Sequence, residues 1–189
     1  MNRVVRSTIC GSTVGLAVAA GLLSATAASA GSDTGNGAHV FAGQLRDLQL
    51  TTDQALDRAS ARLTMVNHHG GSTFVLNVKG IDVTGIDSAA GHDFGAHLHT
   101  GPCVEGNGTA AGPHYNTDVL ADDPPATPTI DKTTEVWLDF TVTAGGTGNA
   151  VAQVPFVPTQ GARSIVIHRD ATNVLGVAGP RLACLPVVW

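Results

Sequence analysis

The chain predicts an all-β sandwich or barrel, and three observations carry that expectation. Short runs of alternating apolar and polar residues recur along it, as half-buried strands require. Its 23 glycines and 9 prolines punctuate the gaps between those runs. No long stretch of 3.6-residue periodicity follows the first thirty residues, so there is no helical layer to pack against a sheet.

Taken in order, the chain opens with Arg3 and Arg6, runs through an apolar stretch from Val14 to Leu23, and reaches Ala28-Ser29-Ala30, a small-x-small cleavage signal. Residues 1–30 therefore read as a secretory signal peptide, and the mature protein is expected to be exported and soluble. The apolar core is short for a membrane span, and no second run of about 20 apolar residues follows. Residues 31–52 begin Gly31-Ser32-Asp33-Thr34-Gly35-Asn36-Gly37 and show no sustained period, which predicts a flexible leader. Residues 53–189 form the predicted domain. Ala61 to Val66 and Thr73 to Val78 flank Asn67-His68-His69-Gly70-Gly71 and read as a β-hairpin. From Glu135 to Val142 the alternation places Val136, Leu138, Phe140 and Val142 on one face and Glu135, Trp137, Asp139 and Thr141 on the other. Ala150 to Pro155, Ser164 to His168 and Arg181 to Val188 complete the strands, and the prolines of Asp122 to Pro128 mark a loop.

Charge and cysteines narrow the function classes. Loss of residues 1–30 removes two arginines and no acid, leaving 8 basic against 15 acidic residues and a net charge of −7. Such a chain suits neither nucleic acid nor an anionic membrane surface. Cys10 leaves with the signal, so Cys103 and Cys184 remain, and in an oxidising compartment they are expected to pair. That bond would close about 80 residues, worth about 4 kcal/mol in the chain-entropy account.

The residues with chemistry lie mostly between positions 95 and 116. His97 and His99 stand at i and i+2 on a predicted strand, so their imidazoles share a face; His114 follows in a glycine-bounded loop, and His168 ends a β-like run. Four neutral imidazoles suit copper or zinc rather than calcium or magnesium. His39, His68, His69 and His92 read as solvent or turn residues, and Trp137 and Trp189 as packing residues.

Four segments, Gly95-Ala96-His97-Leu98-His99, Ala111-Gly112-Pro113-His114-Tyr115-Asn116, Ser164-Ile165-Val166-Ile167-His168 and Gly179-Pro180-Arg181-Leu182-Ala183-Cys184, resemble in order the signature segments of copper/zinc superoxide dismutases. The resemblance spans most of residues 58–188. It implies an eight-stranded Greek-key β-barrel, copper ligated by His97, His99, His114 and His168, an intradomain Cys103–Cys184 disulfide, and Arg181 as the guanidinium that guides superoxide. In the zinc-bearing family the residue resembling His114 bridges both metals, and two further histidines and an aspartate follow it. Here no histidine lies between His114 and His168, and Asp118, Asp122, Asp123, Asp131, Glu135 and Asp139 alone make a poor zinc site. The stretch Arg169 to Pro180 is also short for the family's charged channel loop. The pattern is similar to the copper-only members, with zinc expected to be absent.

Superoxide dismutation needs an ion that cycles between two oxidation states, which copper does and zinc does not. Glu135, Asp139 and Asp170 are each candidates to orient His114 through its second ring nitrogen. The expected activity is conversion of superoxide to dioxygen and hydrogen peroxide by a secreted enzyme, with Arg181 and His114 as catalytic residues. The alternative is a secreted domain that has kept fold and ligands but buffers or delivers copper without turnover.

Overall fold

A computed structural model describes residues 37–49, 55–84 and 91–189. The predicted signal peptide, and the start and end of the predicted leader, lie outside the described residues. Nine strands form among the described residues: β1 (Ala38–Gln44), β2 (Arg46–Asp47), β3 (Ser60–His68), β4 (Gly71–Lys79), β5 (Asp93–His99), β6 (Phe140–Thr141), β7 (Thr147–Val154), β8 (Ala162–His168) and β9 (Arg181–Val188). They make two antiparallel sheets, ordered β1-β3-β4-β7 and β2-β9-β8-β5-β6. The all-β expectation holds, with two departures. Among the described residues nine strands stand where eight were expected, two of them only two residues long, and no ladder closes the two sheets into a barrel.

The hairpin shows how local pattern becomes packing. In β3, Ala61, Leu63 and Met65 alternate inward, and in β4, Phe74, Leu76 and Val78 do the same. The register pairs Leu63 with Leu76 and Met65 with Phe74, so each buried side chain meets another across the ladder. Burial of each such side chain contributes about 1.5–3 kcal/mol. The turn between them needs a left-handed residue, which Gly70 supplies at φ 89°.

Residues 38–47, expected to belong to a flexible leader, instead form β1 and β2. Strand β1 pairs along β3 from Ala38↔Val66 to Gln44↔Ser60, and β2 pairs with β9. Between and after them Leu45 and Leu48 are buried, which pins the segment to both sheets.

The second sheet builds the site. Strand β8 is buried on both faces: Ile165 and Ile167 enter the main core, while Val166 joins Leu48, Cys103, Ala111 and Cys184 in a small cluster behind the sheet. The predicted disulfide is present, with Cys103 and Cys184 Cα atoms 5.7 Å apart. It ties the loop after β5 to β9. The alternation read from Glu135 to Val142 also holds, since Val136, Leu138, Phe140 and Val142 are all buried. Only Phe140–Thr141 is a regular strand, but Leu138 N–H donates to the Ala96 carbonyl at 2.7 Å and so keeps the segment beside β5. Among the described residues no helix is long and apolar enough to cross a membrane.

Candidate metal centre

Three segments bring the four histidines together. Strand β5 carries His97 and His99, and the β5–β8 register sets Gly95 opposite His168, at the same end of the sheet. His114 returns from the disulfide-tied loop to bridge His99. One ring nitrogen from each of the four lies within 4.8 Å of the others. Two nitrogens held at about 2.0–2.1 Å on opposite sides of one ion are about 4 Å apart, so the group closes on an ion by shifts of a few tenths of an ångström.

Each imidazole has one nitrogen committed outward. His99 Nδ1 donates to the Gly112 carbonyl at 2.9 Å, His168 Nδ1 to the Gly179 carbonyl at 3.0 Å, and His114 Nδ1 to Glu135 Oε2 at 3.0 Å. Their Nε2 atoms are left to face the centre; those of His99 and His168 lie 3.2 Å apart. His97 is reversed. Its Nε2 is 2.8 Å from Thr172 Oγ1, and its Nδ1 is buried with no hydrogen-bond partner. A buried, unpaired nitrogen costs free energy unless something fills it, and three neighbouring nitrogens aim at the same point. The residues present therefore fit a metal ion.

The electrostatics agree. Burial, reinforced by the positive charge His114, His168 and His99 would carry, pushes His97 far below the ordinary imidazole range. Burial brings His99 down to about 2, against an upward pull from the Gly112 carbonyl. Burial brings His168 down to about 4, with the Gly179 carbonyl again opposing and Arg181 assisting. All three are neutral at pH 7, the form in which imidazole binds a metal.

The acids divide their work. Glu135 is the one that orients His114; Trp137 Nε1 donates to the same Oε2 at 2.9 Å and Asn116 Nδ2 to Oε1 at 3.0 Å. Burial raises the Glu135 pKa, but these hydrogen bonds outweigh it and the net shift is downward. Asp139 accepts from Ala96 N at 3.0 Å and from the Thr172 hydroxyl at 2.7 Å. Asp170 is exposed and contributes its backbone carbonyl, which accepts from Gly95 N at 2.9 Å. Asp118 and Asp131 accept from the backbone N–H groups of Thr129 and Thr133. Among the described residues no carboxylate joins the four histidines as a fifth ligand.

Arg181 stands opposite His168 in the β8–β9 register, and its Nη1 donates to the Gly108 carbonyl at 2.6 Å. Gly108 opens the 3-10 turn Gly108–Ala111 in the loop that Cys103 anchors. A cleft of about 510 Å³ opens there, lined by Leu48, Thr109, Gly179 and Pro180 as well as Gly108 and Arg181.

The remaining histidines lie elsewhere. His68 and His69 are exposed at the hairpin turn, and His39 stacks on Phe41, which in turn meets the packing residue Trp189. His92 is half-buried and donates to the Arg169 carbonyl at 2.6 Å, a structural bond rather than a solvent contact. Trp137, read as a packing residue, also donates to Glu135 and sets its ring edge-on to His97 at 6.0 Å. Thr172 was not singled out in the sequence, because a lone threonine in a loop carries no spacing signal. No protein-family model matches the chain, and no curated protein matches it.

Proposed function

We propose that the protein is an exported copper-dependent superoxide dismutase without a zinc site. The observation that carries this reading is four imidazoles converging on one point with a guanidinium on the neighbouring strand opposite one of them. Imidazole-only ligation suits copper, and it leaves no carboxylate or thiolate to favour calcium, magnesium or an iron–sulfur cluster. The nitrogen of His114 through which a second metal would be bridged is spent on Glu135, which supports the zinc-free form of the reading.

Bound copper would supply one-electron redox chemistry, by which two superoxide anions and two protons become dioxygen and hydrogen peroxide. The chain's own residues do the rest. Arg181 offers a permanent positive charge to an anion in the cleft, and its bond to Gly108 holds the guanidinium in place. The net charge of −7, from 8 basic and 15 acidic residues after position 30, opposes long-range attraction, so steering is local and salt-sensitive. His114 stays oriented because Glu135 takes its Nδ1–H, and Glu135 stays put because Asn116 and Trp137 hold it. The disulfide supports export, since such bonds persist in oxidising compartments.

The short segment between His168 and Arg181 favours one alternative, a copper-buffering domain of the same fold. Arg181→Ala separates the two. A dismutase loses superoxide decay by about tenfold or more, equal to about 1.4 kcal/mol of barrier, while keeping one copper per chain. Wild-type protein that holds copper yet decays superoxide no faster than buffer is a buffering domain, and wild-type protein that takes up no copper refutes both readings.

A further inference from the structure

We infer that Thr172 is a positioning residue that selects which nitrogen of His97 faces the metal centre. The inference rests on reading the four histidines as a metal site, and it adds the device that makes the fourth ligand usable. His99, His114 and His168 each give their Nδ1–H to an acceptor and turn Nε2 inward. His97 must do the opposite, because its Nδ1 is the atom left buried and unpaired beside the other three. Its proton therefore has to sit on Nε2, and something there must accept it.

A threonine hydroxyl could act either way, since it holds one proton and two lone pairs. The proton of Thr172 is committed: the hydroxyl donates to Asp139 Oδ1 at 2.7 Å. Asp139 cannot turn away, because Oδ1 also accepts from Ala96 N at 3.0 Å and Oδ2 from Thr172 N at 3.1 Å. Towards His97, 2.8 Å distant, Thr172 can then only accept. The hydrogen-bond direction runs from His97 Nε2–H to the Thr172 hydroxyl to the Asp139 carboxylate. Were it reversed, His97 would carry its proton on Nδ1, pointing into the centre and blocking a ligand position. His97 is 0% exposed, so no bulk water can substitute for the hydroxyl.

The fold places Thr172 for this task through a glycine. A Cβ added at Gly95 would sit 2.5 Å from Ala178 Cβ, 2.7 Å from the Asp170 carbonyl oxygen and 3.1 Å from Thr172 Oγ1. Only a residue without a side chain lets the Asp170-to-Ala178 loop lie this close to β5. The close approach is what brings the hydroxyl to a histidine two residues along the same strand.

Thr172→Val removes the hydroxyl at nearly constant volume, and Thr172→Ser keeps it. Both sit in a half-buried loop position, and the Thr172 backbone bond to Asp139 survives either change. The test is a two-bond nitrogen–proton NMR spectrum of metal-free protein at pH 7.5, paired with copper titration against a competing chelator. Wild type and Thr172→Ser should carry the His97 proton on Nε2, with copper affinities within about threefold of each other. Thr172→Val should move population to Nδ1–H and weaken copper binding by about tenfold to a hundredfold, as lost outer partners of ligating histidines do. A valine variant that keeps the proton on Nε2, or one matched by the serine variant in either readout, overturns the inference. The NMR readout needs no metal, so it judges Thr172 even if the wild-type protein takes up no copper and the metal reading itself fails.

Discussion

Replacing Glu135 by glutamine keeps the shape of the side chain and removes its charge. The carboxylate serves three donors, His114 Nδ1 at 3.0 Å, Trp137 Nε1 at 2.9 Å and Asn116 Nδ2 at 3.0 Å. Glutamine has one oxygen, and it does best turned towards His114 and Trp137, because that sacrifices one bond rather than two. Its amide then faces Asn116, which is 3% exposed, donor against donor. One buried donor left unpaired costs about 1–3 kcal/mol. Turning two charge-assisted bonds into neutral ones costs roughly 1 kcal/mol each, and relief from burying a charge returns part of that. The downward net shift of the Glu135 pKa says that the partners outweigh the burial, so the sum is a loss of about 2–3 kcal/mol. At a urea dependence of about 2 kcal/mol per molar, the unfolding midpoint of the metal-free protein should fall by about 1 M at pH 7. A lowered folded-state pKa contributes stability above the unfolded value of 4.5 and loses it as the pH falls through the folded value. The gap between wild type and variant should therefore narrow below pH 4.5. A midpoint shift under about 0.3 M with an unchanged slope would refute this account of Glu135.

Two further perturbations test the frame around the site. In the metal-free protein, His99 and His168 hold folded-state values of about 2 and about 4 against 6.5 unfolded, so the unfolded chain binds more protons as the pH drops. Stability is intact above pH 6.5 and should be lost by about 2 kcal/mol per histidine on going to pH 5; equal urea midpoints at pH 7 and pH 5 contradict the assigned burial. Replacing Cys103 and Cys184 together by serine should cost about 3–5 kcal/mol in thermal or urea unfolding. The same double variant should still bind one metal ion, since neither cysteine belongs to the four-histidine group, and loss of binding in a folded variant would show that the loop sets His114.

Strands whose faces differ in burial were readable from the sequence, and those without such a difference were not. Leu63, Met65, Leu76 and Phe74 announce β3 and β4 because every second residue is buried. Strand β1 leaves five of its seven residues exposed and two half-buried, so no apolar stripe marks it, and residues 38–47 looked like a leader. Its stability comes from the ladder to β3 and from Leu45 and Leu48 beyond it. The four histidines were readable by their chemistry, although only the β5–β8 register shows that His97 and His168 meet. Glu135, Asp139 and Asp170 were equal candidates in the sequence because their roles depend on a neighbour across a sheet. The fold separates them: Glu135 reaches His114, Asp139 reaches Thr172, and Asp170 reaches neither.

Of the β1 side chains only His39 and Phe41 pack inward, which leaves a question of what the rest of the strand is for. An outermost strand is a row of open backbone donors and acceptors, ready to recruit another chain. Without β1 that row would belong to β3, nine residues long and backed by the fully buried Leu63 and Met65, a far better template for cross-chain β pairing than the strand that replaces it. At seven residues, with Gly43 inside it, β1 offers a shorter and weaker edge than the nine of β3. The segment thus acts as a guard rail along β3, on the sheet opposite the one that carries His97, His99 and His168.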